Sequence, residues 1–121
     1  MPDAATVARF TAQVVSGDHV GAIRDWYAEG ASMQENQAAP RVGREGLMAR
    51  EAATLARVAS VETELMDPPL IAGDTVAVHW RFTFVGKDGS RRSIEEIAWQ
   101  TWAGDKVVRE TFFYDPAQMA G

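Results

Sequence analysis

The residues with the clearest chemical potential lie near the end of the chain, in the run Trp102-Ala-Gly-Asp-Lys-Val-Val-Arg-Glu-Thr-Phe-Phe-Tyr-Asp-Pro116. Gly104-Asp105 is a turn dipeptide, and Pro116, which lacks an N–H, ends the β-rich run that follows. Side chains alternate along a strand, which puts Val108, Glu110, Phe112 and Tyr114 on one face and Val107, Arg109, Thr111 and Phe113 on the other. A carboxylate among aromatics at that period predicts a strand lining an apolar cavity. The competing reading of Glu110 is an ion pair with Arg109 or with a basic residue on a neighbouring strand. Glu95-Glu96 must send one carboxylate to each face of its strand, and hydrophobicity alone leaves open which one points inward. If Glu96 does, it is a second buried acid; otherwise Arg81 or Arg92 is its expected partner across the sheet.

The two histidines are isolated. His79 alternates with the apolar positions of its strand, so patterning points it away from the core, whereas an inward His79 could act as a proton relay. His19 falls in the first turn of a helix and is expected to be solvated. Without a helical i, i+4 histidine pair or any cysteine, the sequence carries no metal-site signature. It also holds no glycine-rich phosphate loop, Ser-His-Asp set or nucleotide fingerprint, so no cofactor is expected.

The elements that must position these groups follow from spacing. Asp3 can cap a helix carrying Val7, Phe10 and Val14, and Ser16-Gly17-Asp18 ends it and caps a second. The second helix, with Val20, Ile23 and Tyr27, is expected to run to Gly30; Ala31 to Glu35 reads as a short strand and 36–43 as a loop. A third helix spans about 44–57. Strands are expected over 58–66, 75–85, 91–102 and the closing run, in an antiparallel meander punctuated by Asp67-Pro68-Pro69, Gly73-Asp74 and Lys87-Asp88-Gly89. Helices followed by hairpin-linked strands predict an α+β domain with the helices on one face of a curved sheet.

The 121 residues suit one domain, 1–121, and 46% hydrophobic with 24% charged residues is an ordinary globular composition. A net charge of −5 argues against nucleic acid or an acidic membrane surface as partner. No segment reads as a signal peptide or a membrane span, and a reducing, cytoplasmic setting is the expectation.

Three segments, Ser16-Gly17-Asp18, Tyr27-Ala-Glu-Gly-Ala-Ser-Met-Gln-Glu-Asn36 and Gly104 to Pro116, together with the element order, make the chain resemble the SnoaL-like branch of the nuclear-transport-factor-2-like (NTF2-like) superfamily, related to ketosteroid isomerases and polyketide cyclases. The resemblance implies a cone: three N-terminal helices packed on a curved antiparallel sheet, with a central pocket. It implies cofactor-free isomerase, cyclase or dehydratase chemistry on a small hydrophobic molecule, or, alternatively, a non-catalytic ligand-binding or association module.

Laid against the isomerases, Glu35 matches the segment ending in their general-base aspartate, and an apolar cavity would raise its pKa toward the range useful for proton transfer. The isomerases' oxyanion tyrosine falls on Phe10 and their partner acid near Ala98, so neither of those hydrogen-bond donors is available. The cyclases' last-strand acid falls on Phe112, with Glu110 two residues earlier on the same face as its substitute. The catalytic candidates are therefore Glu35, Glu110 and His79. Trp26, Met33, Met48, Glu96, Trp102, Phe112 and Tyr114 are the expected pocket wall, an aromatic and methionine-rich lining suited to a flat apolar ligand. The resemblance also implies a homodimer through the convex sheet face, on which Thr75, His79, Arg81, Thr83, Arg109, Thr111 and Phe113 are expected.

Overall fold

Asp3 starts the first helix as expected: in the computed structural model, which describes residues 1–119, its carboxylate accepts from the Thr6 N–H at 2.7 Å. This helix, α1 (Ala4–Val15), ends at Gly17, whose φ of +94° turns the chain where a Cβ would be strained. Asp18 then caps α2 (His19–Trp26) through the Gly21 N–H at 3.1 Å.

The second helix stops four residues short of Gly30. Tyr27 already has extended backbone (φ −104°, ψ 140°) and opens β1 (Tyr27–Glu35). The loop after it contains a two-residue strand, β2 (Arg41–Val42), before α3 (Arg44–Ala56). The rest is β3 (Ser60–Leu65), β4 (Leu70–Ala72), β5 (Thr75–Val85), β6 (Arg91–Ala103) and β7 (Lys106–Phe113), closed by a 3-10 turn at Pro116–Met119. Asp67-Pro68-Pro69 separates β3 from β4, so both prolines lie outside the ladder.

One sheet of order β2-β1-β7-β6-β5-β3 carries the fold, with β4 paired to β5. The four strands expected from the second half do form antiparallel neighbours, but β1 joins β7 in parallel, so the sheet is mixed. That parallel pairing brings the first half of the chain to the closing strand, with Met33 opposite Glu110 and Glu35 opposite Phe112. The helices cover the concave face, and the core between the layers includes Val7, Phe10, Ile23, Tyr27, Val78, Trp80 and Trp102. It is an NTF2-like cone.

A bulge sets which side chains face inward. Thr101 pairs with Arg109 and Trp102 with Val107, leaving Val108 as an extra residue on β7. Strict alternation placed Val107 outward; the bulge returns it to the inner face, where it is fully buried, and keeps Glu110 buried as well. On β6, Ala98, Gln100 and Trp102 are buried while Ile97 and Trp99 are exposed, so Glu96 shares the inner face.

Candidate functional site

Between the helices and the concave sheet lies a cavity of ≈ 360 Å³. Glu110, on the inner face of β7, is at its floor, 2% exposed. Its Oε1 accepts from the Tyr27 hydroxyl, and its Oε2 accepts from Gln100 Nε2 at 2.6 Å. Gln100 is held in turn by the Trp102 indole, whose Nε1 donates to Gln100 Oε1 at 3.0 Å. Both carboxylate oxygens are thus acceptors, a pattern that suits the ionised form. Burial opposes it, and raises the Glu110 pKa to about 7, while Gln100 and Tyr27 pull it back down. The Tyr27 phenol, desolvated and next to that carboxylate, is held well above its ordinary pKa.

Glu96, on β6, enters the same cavity under different conditions. Among the described residues its carboxyl has no hydrogen-bond or ion-pair partner. Desolvation, reinforced by the charges of Glu110, Glu35 and Glu51, raises its pKa to about 8. Nothing among the described residues donates to its charged form, so burial and the neighbouring carboxylates favour the protonated form of Glu96, while the two donors on Glu110 favour ionisation there.

Glu35 lines the cavity near its edge, half-exposed. Its Oε2 accepts from Arg41 at 3.0 Å and its Oε1 accepts from the Tyr114 hydroxyl at 3.0 Å. Tyr114 is anchored by its backbone N–H on Asn36 Oδ1 at 3.1 Å. The Tyr114 pKa is raised by desolvation and by the Glu35 carboxylate.

His79 is a correction. It stands on the outer face of β5, with Nδ1 2.7 Å from Asp67 Oδ2 and Nε2 3.5 Å from Glu95 Oε2, out of reach of the cavity and of any relay with Glu35. The strand alternation that pointed it away from the core describes its position. His19, expected in solvent, is instead 8% exposed at the cavity wall, with Nε2 2.9 Å from Thr63 Oγ1 and Nδ1 3.5 Å from Glu51 Oε1.

Of the expected wall residues, Met33, Glu96, Phe112 and Tyr114 line the cavity. Trp26, Met48 and Trp102 do not. Trp102 is buried behind Phe10, with ring centroids 5.7 Å apart, and Trp26 packs edge-on to the same ring and donates to Gln13 Oε1. Met48 packs against the core from α3. The remaining apolar wall comes chiefly from Phe10, Tyr27, Trp80, Phe82 and Phe84. No group of described residues could hold a metal ion. Among the described residues no helix is long and apolar enough to cross a membrane.

The profile of the SnoaL-like domain family matches residues 7–110, most of the chain. The chain belongs to the SnoaL-like domain family. No curated sequence matches it. Among solved structures, one from Mesorhizobium loti described as a SnoaL-like polyketide cyclase is similar at 24% identity and TM-score 0.77, covering 94% of this chain and 100% of that one. An NTF2-like protein of unknown function from Burkholderia pseudomallei is similar at 11% identity and TM-score 0.79, covering 98% and 95%. TerC, co-crystallised with polyporic acid, is similar at 12% identity and TM-score 0.77, covering 94% and 92%. At these identities the likeness is one of fold.

Within this SnoaL-like domain, sequence reasoning missed Tyr27 and Gln100 as partners of Glu110. Its spacing from Val20 and Ile23 puts Tyr27 on a helix, where its hydroxyl has no evident target. Gln100 had a signal, since it lies two residues from Ala98 and from Trp102 on the face that proves to be buried. The hydroxyl absent at Phe10 is present nearby on Tyr27, whose ring centroid is 6.2 Å away, but it is committed to Glu110.

Proposed function

We propose that this domain performs cofactor-free proton transfer on a small hydrophobic molecule, with Glu96 as the acid/base. The observation that carries this reading is an unpartnered carboxyl in an apolar cavity, with a pKa raised to about 8. A neutral carboxyl there can give its proton to a carbonyl or hydroxyl oxygen, and the carboxylate so formed can take one from the adjacent carbon. A single group then shuttles a proton, as isomerisation, enolisation-driven cyclisation or dehydration requires. Glu110 supplies negative charge beneath Glu96 and keeps its proton on. Glu35 and Tyr114 act at the edge, where the phenol, fixed by the carboxylate, orients the substrate.

The test uses exchange of the acidic α-protons of 2-tetralone, a small apolar ketone, followed by NMR in D₂O. The wild-type protein is expected to accelerate exchange, and Glu96→Gln to lose on the order of 100-fold or more of that acceleration. Undiminished exchange by Glu96→Gln sinks the proposal. A second reading, a ligand-binding module without turnover, is favoured by the hydrogen bonds that occupy Glu35 and Glu110. It expects apolar ligands to bind with no exchange.

The same proposal includes a homodimer through the outer sheet face. Ile97 and Phe113 are register partners there, and Trp99 lies between Ala77 and Thr111, all three large side chains well exposed. This surface is more apolar than the sequence implied, because Ile97 and Trp99 join the expected polar residues. An apolar group of this kind at the centre of an open sheet suits burial against a second copy.

A further inference from the structure

The face of α3 that borders the cavity carries Leu47, Arg50, Glu51 and Thr54, and Arg57, the residue that caps the helix, continues it. These positions repeat at three and four residues, so they form one stripe along the rim. Leu47 is buried at one end, and Arg50 and Arg57 are exposed. Among the described residues neither of these two guanidinium groups has a hydrogen-bond or ion-pair partner. Every other arginine has a guanidinium nitrogen bonded to an oxygen, from Arg9 on Thr6 to Arg109 on Thr101. The two unpaired arginines are thus both at the cavity.

In a chain of net charge −5, acidic partners for arginine are plentiful, and Arg24, Arg41, Arg81 and Arg91 each take one. Arg57 lies seven positions after Arg50, which spaces their backbones by roughly 10 Å along the helix axis. The Thr54 hydroxyl, which donates to the Arg50 carbonyl, lies between them with a lone pair free to accept. The cavity therefore has an apolar interior with Glu96 inside and two positive posts on one edge. A wholly apolar ligand would leave those posts unused.

We propose that the ligand is amphipathic: an aromatic or alicyclic body that fills the cavity, joined to a carboxylate that docks on Arg50 and Arg57. This rests on the proton-transfer reading and adds its substrate class. The carboxylate anchors one end on the α3 rim, and the reacting oxygen at the other end reaches Glu96. Arginine suits this role because its planar fork can bind a carboxylate through two parallel N–H donors. The flanking apolar walls strengthen the attraction relative to open solvent.

The experiment measures binding of 4-biphenylcarboxylate and of its primary amide by calorimetry, in wild type, Arg50→Gln, Arg57→Gln, the double variant and Glu96→Gln. The carboxylate is expected to bind wild type about fivefold to tenfold tighter than the amide, with the preference shrinking as salt screens the charges. Each single arginine variant should lose part of that preference and the double variant all of it, while the amide binds the three arginine variants as it binds wild type. Glu96→Gln should retain the preference, so loss of the proton-transfer reading in the exchange assay is distinguishable from loss of this one. Equal binding of acid and amide to wild type, a preference that survives in the double variant, or no binding of the acid overturns the inference.

Discussion

Glu110 and Glu96 stand on adjacent strands and face one cavity, yet their surroundings treat charge differently. Two donors converge on Glu110, whereas among the described residues none reaches Glu96, whose ionisation is opposed by burial and by the charges of Glu110, Glu35 and Glu51. The difference has a thermodynamic consequence. Glu96 is raised from 4.5 to about 8, so between those values the folded state retains a proton that the unfolded chain has lost. Its contribution is most favourable below pH 4.5 and declines as pH rises toward 8; Glu110 adds the same trend up to about 7. Chemical denaturation of Glu96→Gln at pH 7 should show a gain on the order of 1–3 kcal/mol over wild type, and the gain should vanish near pH 4. A variant no more stable at pH 7 than wild type would show that Glu96 ionises without cost. The sequence supplied the identity of these acids and, for Glu110, its face. It could not supply their partners, because those depend on a tyrosine 83 positions away that is brought to β7 by a parallel strand pairing.

The elements were legible wherever the chain carries its own punctuation. Asp3, Gly17-Asp18, Gly73-Asp74 and Gly104-Asp105 all mark real boundaries, and β5 occupies the residues its alternation indicated. What alternation could not reveal is irregularity. The Trp26–Tyr27 helix-to-strand switch has no glycine or proline, and apolar residues on both sides fit either period. The Val108 bulge leaves no compositional mark, because Val107 and Val108 are identical residues. Their environments differ sharply in the fold, with Val107 buried and Val108 half-exposed. Thermal or denaturant unfolding should therefore find Val107→Thr destabilised by about 1–3 kcal/mol through its buried hydroxyl, and Val108→Thr close to neutral. The reverse order would restore strict alternation, with Val108 in place of Val107 on the inner face beside Glu110.

The whole molecule has an inner surface committed to the cavity and an outer sheet surface that exposes Trp99, Ile97 and Phe113. The outer residues were harder to place from sequence, since Ile97 and Trp99 are apolar enough to have been core. Light scattering should give about twice 13.2 kDa for the wild-type chain, and Trp99→Glu should return it to monomer with its fold intact. A monomeric wild type at high concentration would leave that apolar surface without the partner proposed for it. The proposed dimer contact and the proposed cavity chemistry fall on opposite faces of the sheet, so Trp99→Glu should leave the titration of the cavity acids in place. That titration is the most direct measurement of all: carbon-13 NMR of the glutamate side-chain carboxyls, with Glu96 assigned through Glu96→Gln. A Glu96 midpoint near pH 8 is expected, and a midpoint in the ordinary carboxylate range around 4.5 would contradict its role as the buried acid.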